Sequence, residues 1–327
     1  MKLPFSSLFP ASASRNFFYD LQIEGVGTKT LLVELAGKYD KIGIDGVAMT
    51  VNDVIRSGAE PVLVSDAIHI SKSKPRILDS LVSGVRSGAE KAGCTLASGE
   101  TGDVSEILHR AISRDSMPFD LFVSCLGIVQ KNEIILGHIS KGNHIIGLES
   151  SGIHSNGLTM ARKVLLKKWG GMYEPYDVPP TIGRPVIEEL LEPTRIYVKA
   201  LNKLKKEGLR PSAALHVTGD GLAKFWRLLS WQSNSFDLGL KLKMSRKPPI
   251  FELIREVAKR LGKPISLIEM FKTFNMGIGF AFVFSSKESE RALDSLNNEF
   301  KAEKIGSVSG GRKISIESPF AEKPVFL

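Results

Sequence analysis

Five acidic residues fall in or beside segments whose neighbours are apolar: Glu24, Asp45, Asp53, Asp66 and Glu100. An unpaired charge in such surroundings is expensive, so something must neutralise each of them. Divalent cations bound to nucleotide phosphates do this with oxygen ligands. Salt bridges to lysines together with one helix cap do it as well, and spacing leaves the two readings level. Asp45 and Asn52 are seven positions apart, which on a helix places them on one face about 10 Å from each other, with Asp53 on its margin.

Gly25-Val26-Gly27-Thr28-Lys29 follows a strand-like segment, where backbone N–H groups can point at phosphate oxygens. It has neither the Walker A spacing nor the dinucleotide fingerprint, so a turn that merely reverses the chain is the plainer reading. Glu149-Ser150-Ser151-Gly152-Ile153-His154-Ser155-Asn156-Gly157 opens a second polar loop, whose side chains suit either a helix cap or an anion. His154 lies among its hydroxyls, and His216 stands between Leu215 and Val217. Either ring suits a packed, hydrogen-bonded position as well as a proton carrier. Arg195, after Pro193 and Thr194, suits a substrate phosphate or the open surface.

The elements that must position these residues alternate between strands and helices. Phe17–Ile23 reads as a strand, Ile44–Gly58 as a helix stopped by its glycine, and Pro61–Ile70 as a strand with Asp66 in its middle. A helix striped by Leu78, Leu81, Val82, Val85, Ala89 and Ala92 ends at Gly93. Cys94–Ala97 leads as a buried strand into Ser98-Gly99-Glu100-Thr101, and Asp120–Val129 closes the first half. Beyond a boundary near Gly142 come the strand His144–Leu148, a helix from Leu158 to about Lys168, the strand Ala213–Val217, a glycine turn at Thr218-Gly219-Asp220-Gly221 with the helix Leu222–Leu229, the strand Phe280–Phe284 and a helix at Lys287–Asn298. The class is α/β or α+β, without an internal repeat. The expected domains are 17–141 and 142–327, preceded by a mobile leader, 1–16.

The 327 residues are 43% hydrophobic and 24% charged, enough for two medium cores and unlike a disordered or collagen-like chain. No apolar run reaches the roughly 18 residues of a membrane-spanning helix. Pro4, Ser6, Ser7 and Pro10 interrupt the leader, leaving no signal-peptide core, so a cytoplasmic protein is expected. Cys94 and Cys125 make no disulfide framework. The net charge of +9 favours anionic partners, but basic residues are scattered and aromatics are 8%, so no stacking platform for nucleic acid is visible.

Seven ordered motifs together resemble the aminoimidazole ribonucleotide synthetase (phosphoribosylformylglycinamidine cyclo-ligase) family. They are Gly25–Lys29; Gly43–Met49 with Val51-Asn52-Asp53; Gly58–Pro61; Gly99-Glu100-Thr101; Ser150–Gly157; Pro193–Lys199; and Phe274–Gly279. The resemblance implies a cytoplasmic enzyme that uses ATP and Mg2+ to close the imidazole ring of formylglycinamidine ribonucleotide. It also implies a two-domain fold whose N-terminal sheets join as a barrel across a homodimer, with no nucleic-acid or membrane partner.

Carried over by position, the resemblance makes Gly25, Val26, Gly27, Thr28, Lys29, Asn52 and Gly99 the ATP site. Glu24, Asp45, Asp53, Asp66 and Glu100 become the metal ligands. Ser151, Gly152, His154, Ser155, Asn156, Thr194, Arg195 and Thr218 line the substrate side, with Lys29, His154 and His216 as catalytic candidates. The chain departs from the family pattern at Glu24, where Asp is usual, at Ser98-Gly99, at Gly219-Asp220-Gly221, and in lacking a glycine-rich leader. Those departures leave room for a thiamine-monophosphate kinase-like or hydrogenase-maturation dehydratase-like activity, or for a silent nucleotide-binding homologue. A selenophosphate synthetase would need a reactive cysteine near Gly25, and none is there.

Overall fold

The computed structural model describes residues 1–11, 15–108, 112, 116–232 and 237–327. Its first half is a mixed five-stranded sheet built from β1 (Leu8–Pro10), β2 (Phe17–Gly25), β3 (Glu60–Ile70), β4 (Thr95–Asp103) and β5 (Phe119–Gln130), in the order β1-β2-β5-β3-β4. Three helices accompany it: α1 (Lys29–Ala36), α2 (Ile42–Val54) and α3 (Pro75–Ala92). The second half carries α4 (Leu158–Leu165), α5 (Val186–Leu190), α6 (Val198–Lys206), α7 (Phe225–Ser230), α8 (Pro249–Arg260), α9 (Leu267–Thr273) and α10 (Ser289–Phe300). They surround a mixed seven-stranded sheet of β6 (His144–Glu149), β7 (Ala213–His216), β8 (Leu238–Lys243), β9 (Ile278–Phe284), β10 (Glu303–Gly310), β11 (Ile314–Glu317) and β12 (Val325–Phe326), ordered β12-β11-β8-β10-β6-β9-β7.

The element that positions the site is α2, every residue of which is buried. Small residues let α3 lie directly on it: a Cβ on Gly43 would fall 2.1 Å from the Val85 nitrogen, and one on Gly88 would fall 2.8 Å from Val47 Cβ. The helix is shorter than its periodicity suggests, passing into a 3-10 turn at Ile55–Ser57 before Gly58 reverses the chain at φ 86°. α3 opens on Pro75 and closes on Gly93 in the left-handed region, as proline at a start and glycine past an end should.

Two expectations need correcting. Residues 1–10 are not a mobile leader: β1 pairs antiparallel with β2, Leu8↔Asp20 and Pro10↔Phe18, and Leu3 and Leu8 are buried. Proline and serine break a signal core but do not prevent a short edge strand from borrowing its order from a neighbour. The buried strand expected at Cys94–Ala97 is instead the start of β4, which runs on through Ser98-Gly99-Glu100-Thr101 in parallel with β3 and is exposed along most of its length.

One face of the five-stranded sheet packs against α2. The other is open, and the sheet does not close on itself: β1 and β4 are its edges. Along β2, Phe18 and Asp20 are buried, while Phe17, Tyr19, Leu21 and Ile23 are exposed, the last two at 61% and 67%. Leu63 on β3 and Phe122 on β5 continue this apolar surface. Glu100 stands on the same face, because Ala67 is in register with both Glu100 and Phe122. Among the described residues, no helix is long and apolar enough to cross a membrane.

Candidate active site

Asp45, in the first turn of α2, is fully buried and is the hub of the contact between the two halves. Its Oδ1 accepts from Lys29 Nζ at 2.9 Å, Thr194 N at 2.8 Å, Thr194 Oγ1 at 2.7 Å and Ser155 Oγ at 3.0 Å. Oδ2 has no protein partner. Lys29 Nζ also donates to the Glu192 carbonyl at 2.8 Å, so this ammonium ties α1 to the chain before Thr194. A cavity of about 410 Å³ opens beside the pair, lined by Lys29, Asp45, Lys41, Arg184, Glu188 and Glu192 among others. Lys29 is therefore the first residue of a helix and not part of an open loop, with its side chain 1% exposed.

Two turns along α2, Asn52 grips the same segment. Its Nδ2 donates to the Arg195 carbonyl at 2.8 Å, and its Oδ1 accepts from Tyr197 N at 2.8 Å. The shared helix face of Asp45 and Asn52 is thus spent on residues 194–197. Arg195 turns away from it, its Nη1 donating to the Glu149 carbonyl at 3.1 Å and lying 3.4 Å from Glu149 Oε2.

Asp53 stands in a second cluster. Its carboxylate meets His216 Nδ1 at 2.8 Å and Arg56 Nη2 at 2.7 Å. Burial raises the Asp53 carboxyl, but Arg56 and the His216 hydrogen bond outweigh it and hold the group below the usual carboxylate range. Glu24 moves the other way, to about 7, through burial and the adjacent Asp53 charge. Burial lowers His216 against the pull of Asp53. A neutral His216 then donates a hydrogen bond from Nδ1–H to Asp53 and keeps Nε2 as the acceptor, 3.5 Å from Asn52 Nδ2. Lys224 donates to Thr218 Oγ1, its ammonium pulled down to about 8 by burial and by Arg56.

The polar loop after β6 is held by one amide. Asn275 Nδ2 donates to the carbonyls of Gly152 and Ile153 at 2.9 and 3.1 Å, while Oδ1 accepts from Ser150 Oγ and Gly277 N. This fixes His154 at φ 64°, a left-handed position unusual for a residue with a Cβ. Its Nε2 accepts from Ser151 N at 3.1 Å, and burial keeps the ring neutral, so the proton sits on Nδ1, which has no protein partner. Ser151 Oγ donates to the Pro193 carbonyl at 2.6 Å. Asn156 Nδ2 lies 3.8 Å from Met49 Sδ. Gly279 must be glycine, since a Cβ would fall 2.0 Å from the Tyr197 hydroxyl.

The structure brings Lys29, Asp45, Asn52, Ser151, Ser155, Thr194 and Arg195 to one seam, and Glu24, Asp53, His216 and Thr218 to another part of it. The five carboxylates do not converge within one chain. Among the described residues, no three acidic, histidine or cysteine side chains form a metal-holding group. Asp45 and Asp53 are already paired with the cations of Lys29 and Arg56, and Asp53 also hydrogen-bonds His216. Asp66 faces Gly99, where a Cβ would fall 2.9 Å from Asp66 Oδ1, and Glu100 projects from the opposite face of the sheet. Sequence reasoning missed Asn275, Glu192 and Lys224 as site residues; only Asn275 had a local signal, its place in the motif Phe274–Gly279 just ahead of Gly277 and Gly279.

Residues 18–129 match the family described as AIR synthase related protein, N-terminal domain, and residues 140–318 match its C-terminal domain. The chain is 39% identical to the phosphoribosylformylglycinamidine cyclo-ligase of Thermococcus kodakarensis over 93% of its own length and 83% of that protein's. It is 40% identical to the enzyme of the same name from Bacillus velezensis, over 89% and 80% respectively. Among solved structures, hydrogenase maturation protein HypE in complex with ATP aligns with a TM-score of 0.62 at 16% identity, covering 94% of this chain and 84% of that one. The structure described as AaThiL complexed with AMPPCP and TMP aligns at 0.61 and 16%, covering 97% and 88%. At that identity the likeness speaks for the fold alone. With both domain descriptions matched in order over most of its length, the chain belongs to the AIR synthase-related family.

Proposed function

We propose that the chain is an ATP-dependent cyclo-ligase of purine biosynthesis, converting formylglycinamidine ribonucleotide to aminoimidazole ribonucleotide with release of ADP and phosphate. The observation that carries this reading is the 38–40% identity to several proteins of that name across most of the chain. In the reaction, the formyl oxygen attacks the γ-phosphorus of ATP and ADP leaves. An amidine nitrogen of the same substrate then attacks the activated carbon, a proton is lost and phosphate departs.

The residues suit those demands. Lys29 and Asp45 fix Ser155 and Thr194 in one geometry, so that substrate meets pre-oriented hydroxyls. Ser151, Gly152, His154, Asn156, Arg195 and Thr218 line the ribonucleotide side. His154 offers a proton from Nδ1, and His216 has its acceptor at Nε2, oriented by Asp53. Gly25, Val26, Gly27, Thr28, Asn52 and Gly99 stand on the ATP side. Glu24 and Asp53 would hold a divalent cation as adjacent oxygen donors, Glu24 being raised by burial and then by the Asp53 charge beside it. Mg2+ there would offset the charge of the phosphates. Asp45, Asp66 and Glu100 are weaker candidates in the isolated chain.

The open apolar face of the five-stranded sheet supports a homodimer, two such faces closing as the barrel expected for the family. In that assembly Glu100 lies at the joint. A cytoplasmic location follows from the reaction proposed. Substrate-dependent ATP hydrolysis tests the activity: ADP release that needs formylglycinamidine ribonucleotide supports it, and release indifferent to that compound favours another member of the superfamily.

A further inference from the structure

We infer that the N-terminal segment is part of the working site and that Phe5 is a positioning residue for its cations. The segment crosses the seam between the two halves. Its residues Leu3–Ser6 pack with Arg56 and Ser57 on one side and with Gly137, Ala214 and Leu228 on the other. The fit is close: a Cβ on Gly137, which has φ 78°, would fall 2.4 Å from Pro4 Cγ.

Three cations converge on the Phe5 ring. Arg56 Cζ lies 5.4 Å from its centroid, Arg227 Cζ 5.4 Å and Lys224 Nζ 6.0 Å. Arg56 Nη2 is also 3.4 Å from the Phe5 carbonyl oxygen. Each of the first and third cations has its other contact in the candidate site. Arg56 pairs with Asp53, and Lys224 donates to Thr218. Three like charges packed together repel, and the electron-rich faces of one aromatic ring are what the chain provides to hold them apart and in register. An aliphatic residue of the same volume would fill the space without doing so. Phe5 thus acts on the site through Arg56 and Lys224 and touches no reacting atom.

This inference rests on the cyclo-ligase reading, and the experiment separates the two. Wild type, Phe5→Ala, Phe5→Leu and Phe5→Tyr are compared for KM and kcat with ATP and formylglycinamidine ribonucleotide, for thermal midpoint, and for amide hydrogen exchange at residues 53–57 and 218–224. Phe5→Ala and Phe5→Leu should both raise KM for at least one substrate about three- to tenfold, with kcat changed less, while Phe5→Tyr stays near wild type. Exchange at both segments should rise in Phe5→Leu, a readout that needs no turnover. Phe5→Leu with wild-type KM and exchange would overturn the proposal, reducing Phe5 to packing. So would a lowered thermal midpoint in Phe5→Ala with KM unmoved. A wild-type chain without turnover would instead count against the cyclo-ligase reading, leaving the exchange comparison to decide the role of Phe5.

Discussion

At the scale of single residues, the seam depends on charges that have been taken out of water together. Lys29 and Asp45 are each 1% exposed, and removing one partner strands the other. Lys29→Met should therefore lose about 3 to 5 kcal/mol in guanidinium unfolding. Adding Asp45→Asn to it should recover part of that loss, and simple additivity would show that the two do not interact. Asp20 is a different case, a buried carboxyl whose Oδ1 accepts from Gln22 Nε2 at 2.6 Å and whose Oδ2 is unpartnered. Burial raises it from 3.8, with hydrogen bonds from Ser57, Gln22 and Ser6 opposing. A carboxyl raised in the folded state binds its proton more tightly there, so its contribution is full below 3.8 and is lost as pH rises through the raised value. Asp20→Asn should gain stability relative to wild type as pH climbs from 4 toward neutrality. A difference that is flat with pH would remove Asp20 as the cause.

At the scale of elements, α2 is the organiser, and much of its role was legible in advance. Helical periodicity put Asp45 and Asn52 on one face because spacing along a helix is local information. What they face was not legible: residues 192–197 lie about 140 positions away in sequence, and nothing local records that contact. The N-terminal segment failed for the same reason in reverse, since its order comes from β2 and from Arg56, Lys224 and Arg227, none of which its own composition reveals. The strand expected at Cys94–Ala97 runs on through Ser98-Gly99-Glu100-Thr101, because pairing with β3 overrides the turn preference of serine and glycine. The grip of α2 can be tested through Asn52→Ala, which leaves the Arg195 carbonyl and the Tyr197 amide without their partner. The cost should be roughly 2–4 kcal/mol, and the Tyr197 amide should exchange faster. Unaltered exchange at Tyr197 would mean that another group already satisfies it.

At the scale of the whole molecule, the five-stranded sheet exposes a row of large apolar side chains that water disfavours. Placing like charges in the middle of that row, as Leu21→Lys with Ile23→Lys, should convert a dimer sedimenting near twice the chain mass into a folded monomer. A wild-type chain that is already monomeric at micromolar concentration would refute the face-to-face pairing. The net charge of +9, read at the outset as a bias toward anions, fits two phosphorylated small molecules brought to one seam.

Ring closure as proposed for the seam around Asp45 is open to direct measurement. Turnover of formylglycinamidine ribonucleotide with ATP and Mg2+, followed as ADP and imidazole product together in wild type and Asp45→Asn, tests it most directly. Equal amounts of the two products are expected in wild type. Asp45→Asn, with its fold retained by circular dichroism, should be slower by about a hundredfold or more. Wild-type turnover in the Asp45→Asn variant, or ADP formed without the imidazole, would contradict it.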